Sequence, residues 1–201
     1  MENNAILGSE ARVGHLCRVL PVLPYEALKG LIARSHPATA EHSVRVRICA
    51  TEIGRKLNLS GFDLSVLSIA AELHDIGKIY LPQAVLDSTA KLSESEWQLV
   101  WQHPIWGAMA TEQSFVSMPE IAQCIMMHHE RMDGSGYPYG LSGDQIPYLA
   151  RVIALADAFA ALTEDRPYRS AYSSSKAVHV LYAEEAGRYD EQLLSALAGC
   201  S

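Results

Sequence analysis

The sequence predicts an all-α fold, because nearly every apolar run has the spacing of a helix. Apolar residues recur three and four positions apart, and no stretch alternates between apolar and polar residues as a half-buried strand would. An apolar content of 49% with 19% charged residues is typical of a globular chain. A length of 201 residues is enough for one domain with a buried core.

Capping and glycine signals delimit the helices of the first half. One helix has an apolar face formed by Val46, Ala50, Ile53 and Leu57. In the next helix Asp63 is the expected N-cap and Gly77 the expected end. Ser93 and Glu96 fit a capping box that opens a further helix.

Prolines delimit the helices of the second half. Pro104 restricts the preceding residue, so His103 is expected at a helix break or at the start of a new helix. The rest of the chain is predicted as a glycine- and proline-rich loop at 133–140 and as helices that begin at Pro119 and Pro147 and lie near 174–186 and 190–198. On the Pro119 helix, Ile121, Ile125 and His129 are expected on one side.

Charge and cysteine content exclude several classes of protein. A formal net charge of −7 argues against a broad surface for polymeric nucleic acid or acidic membranes, since such surfaces need clustered lysine and arginine. The four cysteines are scattered without a C-x-x-C pattern, which predicts reduced thiols and a cytoplasmic location. The first residues lack signal-peptide features, and the longest apolar run is too short to span a bilayer, so we expect a soluble protein.

Five of the eight histidines suit a metal centre, together with two aspartates. They are His42, His74, His103, His128 and His129, with Asp75 and Asp157. Histidine is the commonest side-chain metal ligand, and mixed histidine–aspartate sets suit hydrolytic divalent centres. The alternative for His128 and His129 is one ring packed in the core and the other solvated, and the alternative for His74-Asp75 is a polar helix end. His103 alone is ambiguous, so the group as a whole carries the prediction.

Asp157 gives the strongest argument of any single residue. Its helical neighbours three and four residues away are all apolar, so a bare carboxylate there needs a cation or must be protonated. The alternative is a salt bridge to an arginine such as Arg151 or Arg166. Lys78 lies one turn after His74, within reach of a bridging water or a phosphate, and its alternative role is to cap helix carbonyls.

These residues occur in motifs that together resemble a known family. After His42 come His74-Asp-Ile-Gly-Lys78, His103-Pro104, His128-His-Glu-Arg-Met-Asp-Gly-Ser-Gly-Tyr-Pro138 and the segment from Ala156 to Arg169. This series closely resembles the HD-GYP family, a subset of the HD phosphohydrolase superfamily. The resemblance covers residues 36–201 and leaves residues 1–35 as a short N-terminal helical extension, a possible site of homodimer contact.

The resemblance implies a helical bundle of the HD superfamily that holds two divalent transition metals, iron or manganese, in its core. One metal would take His42, His74, Asp75 and Asp157, and the second would take Asp75 as a bridge with His103, His128 and His129. Such metals lower the pKa of a shared water and supply the hydroxide that attacks phosphorus. Many members carry a glutamate four residues before the first histidine that helps to hold a third metal, and because Ala38 stands there no third metal is expected.

The implied reaction is hydrolysis of cyclic di-GMP to the linear dinucleotide, to GMP or to both. Asp75 and Lys78 are the expected catalytic residues, and Lys78 also contacts substrate. The other implied contacts with substrate come from Arg166, Arg169 and Tyr137. The signature loop Gly136-Tyr137-Pro138 lies beside the site and is a possible contact for a diguanylate cyclase (GGDEF) domain.

Two other functions stay open. One is an HD phosphohydrolase for another nucleotide, such as a hybrid cyclic dinucleotide. The other is a weakly catalytic effector that binds cyclic di-GMP or a diguanylate cyclase domain. The weakly catalytic alternative is favoured by one departure from the family. The loop after the His-Asp-Ile-Gly-Lys motif, which affects access to the site, usually contains Lys-Pro-Gly, and here it contains Asp87-Ser-Thr-Ala90.

Overall fold

The computed structural model describes residues 22–88, 90–165, 169–183 and 185–198. Within these ranges the chain forms helices and no strand, and Asp133 and Ser142 form an isolated β-bridge. The α-helices are α1 Tyr25–Ser35, α2 Pro37–Lys56, α3 Gly61–Leu73, α4 Gln83–Leu86, α5 Glu94–Val100, α6 His103–Glu112, α7 Glu120–Met127, α8 Tyr148–Leu162, α9 Ser174–Ala183 and α10 Glu191–Ala198. Two 3₁₀ helices span Ile76–Tyr80 and Gly143–Gln145. The predicted all-α fold is confirmed.

The centre of the fold is a group of long helices that share one apolar core. Helix α2 packs against both α3 and α8, and α6 packs against α7 and the Ile76–Tyr80 turn. Val46, Ala50 and Ile53 of the predicted α2 face are fully buried in this core. Burial of each large aliphatic side chain contributes about 1.5–3 kcal/mol, so this face holds α2 firmly beside α8.

The two predicted ends of α3 were wrong. Ser60, rather than Asp63, is the N-cap, because the Ser60 hydroxyl oxygen accepts the Asp63 N–H at 3.1 Å. Asp63 instead accepts the Ser60 hydroxyl proton at 2.7 Å. The helix ends at Leu73, and Gly77 lies within the 3₁₀ helix that follows.

Gly77 has a packing role at this turn. A Cβ built on Gly77 would overlap the His103 carbonyl oxygen and lie 2.7 Å from the Gly107 nitrogen. A glycine here therefore lets the segment after Asp75 approach the first turn of α6 directly.

Most of the other predicted boundaries hold. Ser93 and Glu96 form the capping box of α5, His103 begins α6, and α8 follows Pro147. The prediction for the Pro119 helix was partly wrong, because α7 ends at Met127 and His129 lies beyond it.

Residues 25–35 of the predicted N-terminal extension form helix α1. Helix α1 buries Leu28 and Ile32 in the main core. Residues 1–21 of this extension lie outside the described residues. Cys49 and Cys124 are buried, and neither forms a disulfide bond among the described residues. Among the described residues, no helix has the length and hydropathy to cross a bilayer.

Candidate metal centre

The structure brings all seven predicted metal ligands together in two adjoining groups. One group is formed by His42, His74 and Asp157, and the other by Asp75, His103, His128 and His129. The ligand atoms of each group all lie within 4.8 Å of one another. They come from α2, α8 and the ends of α3, α6 and α7, so the packing of five helices builds the centre.

Asp75 lies between the two groups. Its Oδ1 is 3.2 Å from His103 Nε2, and its Oδ2 is 3.4 Å from His74 Nε2. The residue is 3% exposed. One carboxylate thus faces both groups, which is the position that a bridging ligand requires.

Three histidine rings are held so that their Nε2 atoms point into the centre. The Nδ1–H groups of His74, His103 and His128 donate to the backbone carbonyls of Ala71, Val100 and Ile125, at 2.8, 2.6 and 2.6 Å. A carbonyl oxygen can only accept a hydrogen bond, so each Nδ1 carries the proton. In the neutral ring the lone pair is then on Nε2, where a metal would bind.

The Nε2 lone pairs of these histidines lie close together, an arrangement that a bound cation would stabilise. His103 Nε2 lies 3.4 Å from His128 Nε2, although neither atom has a proton to donate when the rings are neutral. Asp75 Oδ1 is buried and accepts no hydrogen bond from the described residues. Buried acceptors that point at one another are costly unless a cation lies between them. The residues therefore fit a divalent metal.

Charge states in the centre also suit metal binding. Burial and the neighbouring histidines hold the pKa values of His128 and His129 well below their usual range, so both rings are neutral. Burial opposes the ionisation of Asp75 and Asp157. Lys78 and the neighbouring histidines outweigh burial at Asp75, and His42 and His74 outweigh it at Asp157, so both pKa values are lowered. The centre thus offers the neutral imidazoles of His128 and His129 together with ionised carboxylates, the forms that bind metals.

Asp157 lies beside histidines rather than beside its alternative arginine partner. Its Oδ1 is 2.9 Å from His42 Nε2. Arg151 instead forms ion pairs with Asp144 at 2.9 Å and with Asp190 at 3.3 Å. The structure therefore contradicts a salt bridge between Asp157 and Arg151.

Lys78 and Tyr137 lie at the edge of the centre. Lys78 Nζ is 2.6 Å from Asp75 Oδ2, and the lysine side chain is 26% exposed. The Tyr137 ring packs on the His129 ring, with centroids 4.6 Å apart, and on the Trp101 ring at 5.7 Å. Burial and the nearby carboxylates raise the pKa of Tyr137, so its hydroxyl remains a hydrogen-bond donor.

The two predicted arginines are only partly described. Arg166 lies outside the described residues. Arg169 donates to the carbonyl oxygens of Ala161 and Leu162, at 2.8 and 3.0 Å, and stacks on Tyr172. Arg169 therefore anchors the end of α8, the helix that carries Asp157.

The buried side chain of Glu130 supports the signature loop, although the sequence analysis assigned no role to this residue. Glu130 is buried, and its two oxygens accept the backbone N–H groups of Tyr139 and Leu141, at 2.8 and 2.9 Å. Gly136 permits a close approach to the chain before it, because a Cβ there would lie 2.5 Å from the Arg131 nitrogen. The Gly136-Tyr137-Pro138 segment is thus fixed against the end of α7.

The sequence prediction missed one further contact at the centre. Glu164 Oε1 lies 2.8 Å from His42 Nδ1, and no local pattern in the sequence indicates this contact. Of the three tryptophans, Trp106 is buried, whereas Trp97 and Trp101 are 44% and 45% exposed.

Comparison with known proteins places this centre in a family. A family model described as HD domain matches residues 26–193. The chain belongs to the HD domain family. The resemblance to HD-GYP proteins that the motifs indicated is confirmed.

The relatives of this HD domain include cyclic dinucleotide phosphodiesterases. The chain is 38% identical over 170 residues to 3'3'-cGAMP-specific phosphodiesterase 3 of Vibrio cholerae. The aligned region covers 83% of the chain and 36% of that protein. The chain is 39% identical over 146 residues to the cyclic di-GMP phosphodiesterase response regulator RpfG of Xanthomonas campestris. This aligned region covers 72% of the chain and 39% of that protein. The chain thus spans less than two fifths of the length of either relative.

A solved structure supports the fold. An HDG"Y"P protein from Bdellovibrio bacteriovorus matches with a TM-score of 0.66 at 23% identity, covering 80% of this chain and 51% of that one. At this level of identity the match concerns the helical architecture alone.

Proposed function

We propose that this HD domain is a phosphodiesterase that hydrolyses cyclic di-GMP at a centre of two divalent metals, iron or manganese. The observation that carries the proposal is the position of Asp75, whose two oxygens face two separate groups of histidines. Metals held there would activate water and stabilise the charge that develops on the phosphoryl oxygens. Names of the relatives supply the substrate class.

The proposed ligand sets extend the two groups of side chains by letting Asp75 serve both. His42, His74, Asp75 and Asp157 would hold one metal, and Asp75, His103, His128 and His129 would hold the other. We propose no third metal. Ala38 lies one turn before His42 on α2 and offers no ligand atom.

Several side chains at the edge of the centre are suited to bind substrate. Lys78 is partly exposed beside Asp75 and would pair with a phosphate oxygen. Arg166 and Arg169 are proposed to contact phosphates or guanine. Arg169 makes three hydrogen bonds to backbone carbonyls, which leaves part of its five-donor capacity for a ligand.

Aromatic residues form the other edge. Tyr137 packs on His129, and Trp101 extends this ring contact to the surface. Purine bases stack on such rings, and stacking contributes about 1–3 kcal/mol per base. We propose that Trp101 and Tyr137 receive a base of the substrate. The same loop is the proposed contact for a GGDEF domain.

A hybrid substrate is the second candidate. The relative that specifically hydrolyses 3'3'-cGAMP is as similar to this chain as the one named for cyclic di-GMP. The two substrates differ in one base, so the Trp101 edge would accept either of them.

The proposal is tested by assaying anaerobically prepared protein, loaded with iron or manganese, with cyclic di-GMP and 3'3'-cGAMP in parallel. We expect turnover of cyclic di-GMP with about two metals per chain, and loss of turnover in Asp75→Ala. Chromatography distinguishes the linear dinucleotide from GMP. Faster turnover of 3'3'-cGAMP would favour the second candidate. Full metal occupancy without turnover of either substrate would contradict both and favour the effector alternative.

A further inference from the structure

We propose that Glu164 is a positioning residue of the metal centre, which holds the His42 ring so that its Nε2 faces Asp157 and the metal. The inference rests on the proposed two-metal function, because it assigns the support of one ligand in that centre. Nothing in the motif pattern assigns a role to Glu164.

Glu164 lies between a ligand and a cation. Its Oε1 is 2.8 Å from His42 Nδ1 and 2.6 Å from Arg45 Nε. Arg45 follows His42 by three residues on α2, so both side chains reach Glu164 from one face of that helix. The Glu164 side chain is 13% exposed, and the contact is shielded from most solvent.

His42 needs this support because of its place in its helix. His74 and His128 follow the last residues of α3 and α7, and His103 follows the end of α5, so each donates to a carbonyl three residues back at a helix end. Such carbonyls have no partner within the helix. His42 is in the body of α2, where carbonyls are already used by the helix. Its Nδ1–H therefore requires an acceptor from elsewhere in the fold.

Helix α8 and the residues just after it supply both contacts of the His42 ring. Asp157 lies 2.9 Å from Nε2, and Glu164 lies 2.8 Å from Nδ1. Asp157 is in the body of α8, and Glu164 lies two residues beyond its last residue, Leu162. The ring is thus held between them, and α8 is joined to α2 at the centre.

A carboxylate differs chemically from the carbonyls that hold the other rings. It fixes the same tautomer, and its negative charge makes the opposite nitrogen a stronger donor to a metal. Substitution of such outer partners lowers metal affinity by about 10–100-fold. We therefore expect Glu164 to affect the metal at His42, and to leave the metal at His103 and His128 nearly unchanged.

The test is a titration of metal-free protein with Mn²⁺, by calorimetry and by competition with a chelator, in the absence of substrate. Glu164→Gln keeps the size of the side chain and removes its charge. We expect one of two Mn²⁺ ions per chain to bind about tenfold to a hundredfold more weakly, with the other unchanged. Arg45→Gln should give a smaller loss at the same ion, because the carboxylate remains.

A matched control and a spectrum separate positioning from general stability. Glu185 pairs with Arg188 at 3.5 Å, so Glu185→Gln also removes a carboxylate from an ion pair. We expect wild-type Mn²⁺ affinities for Glu185→Gln, and unfolding of metal-free Glu164→Gln close to that of wild type. The visible spectrum of Co²⁺-loaded protein should change for Glu164→Gln and not for Glu185→Gln.

Three results would overturn the inference. If Glu164→Gln bound both Mn²⁺ ions with wild-type affinity, Glu164 would not position His42 and would serve only as an ion-pair partner of Arg45. An equal loss at both ions would point to a general structural role. If the wild-type protein bound no Mn²⁺, the two-metal function would fail as well, whereas the first two results leave that function intact.

Discussion

The support of the signature loop can be tested at Glu130, and its size can be worked out from the structure. Both carboxylate oxygens accept backbone N–H groups, from Tyr139 at 2.8 Å and from Leu141 at 2.9 Å, and Glu130 is 1% exposed. A hydrogen bond to a charged group contributes about 1.5–3 kcal/mol. Glu130→Ala removes two of them, so we expect the free energy of unfolding to fall by about 3–6 kcal/mol. Glu130→Gln keeps one acceptor oxygen and should lose about half as much.

Urea unfolding of the metal-free protein, followed by circular dichroism, measures this loss. Asp133→Asn is the control, because the exposed Asp133 also accepts one loop N–H, from Ser135 at 2.9 Å. Water can replace that contact, so the control should lose less than about 1 kcal/mol. A Glu130→Ala protein that is as stable as Asp133→Asn would refute the argument that the buried carboxylate holds the loop.

Three further predictions concern packing, protonation and substrate. Gly77→Ala should cost at least about 3 kcal/mol in urea unfolding, because its Cβ meets backbone atoms of α6, whereas Gly61→Ala meets nothing within 4 Å and should be close to neutral. Burial opposes protonation of His42, but its carboxylate partners outweigh burial and raise its pKa. Metal binding near neutral pH should therefore release a proton, which calorimetry in two buffers detects. This release should disappear as the pH rises through the pKa of His42. Constant release from pH 6 to pH 9 would contradict this assignment. Trp101→Ala should raise KM for the cyclic dinucleotide about tenfold or more, whereas Trp97→Ala, an equally exposed neighbour, should not.

Local signals in the sequence were enough for most of the helices. The capping box at Ser93 was identified correctly because it uses only residues three apart. The N-cap of α3 was not, since Ser60 and Asp63 both suit a cap and bond to each other, and only the backbone N–H decides between them. The end of α3 was misplaced because the 3₁₀ turn through Gly77 depends on close packing against α6.

The residues that cluster at the centre could be predicted from the sequence, but the side chains that support them could not. Each predicted ligand belongs to a short sequence motif, and the motifs follow one another along the chain in the order expected for the family. Glu164 reaches His42 across 122 residues, so only the packing of α8 against α2 brings them together. Glu130 stood inside a recognised motif, yet the loop N–H groups that it accepts are fixed by tertiary structure.

The charges of the centre explain how an acidic protein would bind an anionic substrate. The chain has a formal net charge of −7, which disfavours anions over most of its surface. In the proposed centre the carboxylates of Asp75 and Asp157 would face two divalent metals as well as Lys78, so positive charge would be in excess there. Neutral His128 and His129 add ligand atoms without adding negative charge. The excess is confined to one partly buried site, where it attracts a phosphodiester and is screened less by salt than an exposed basic patch would be. Substrate affinity should therefore depend on metal loading far more than on ionic strength, and an affinity that fell steeply with salt while ignoring metal content would place the binding site elsewhere.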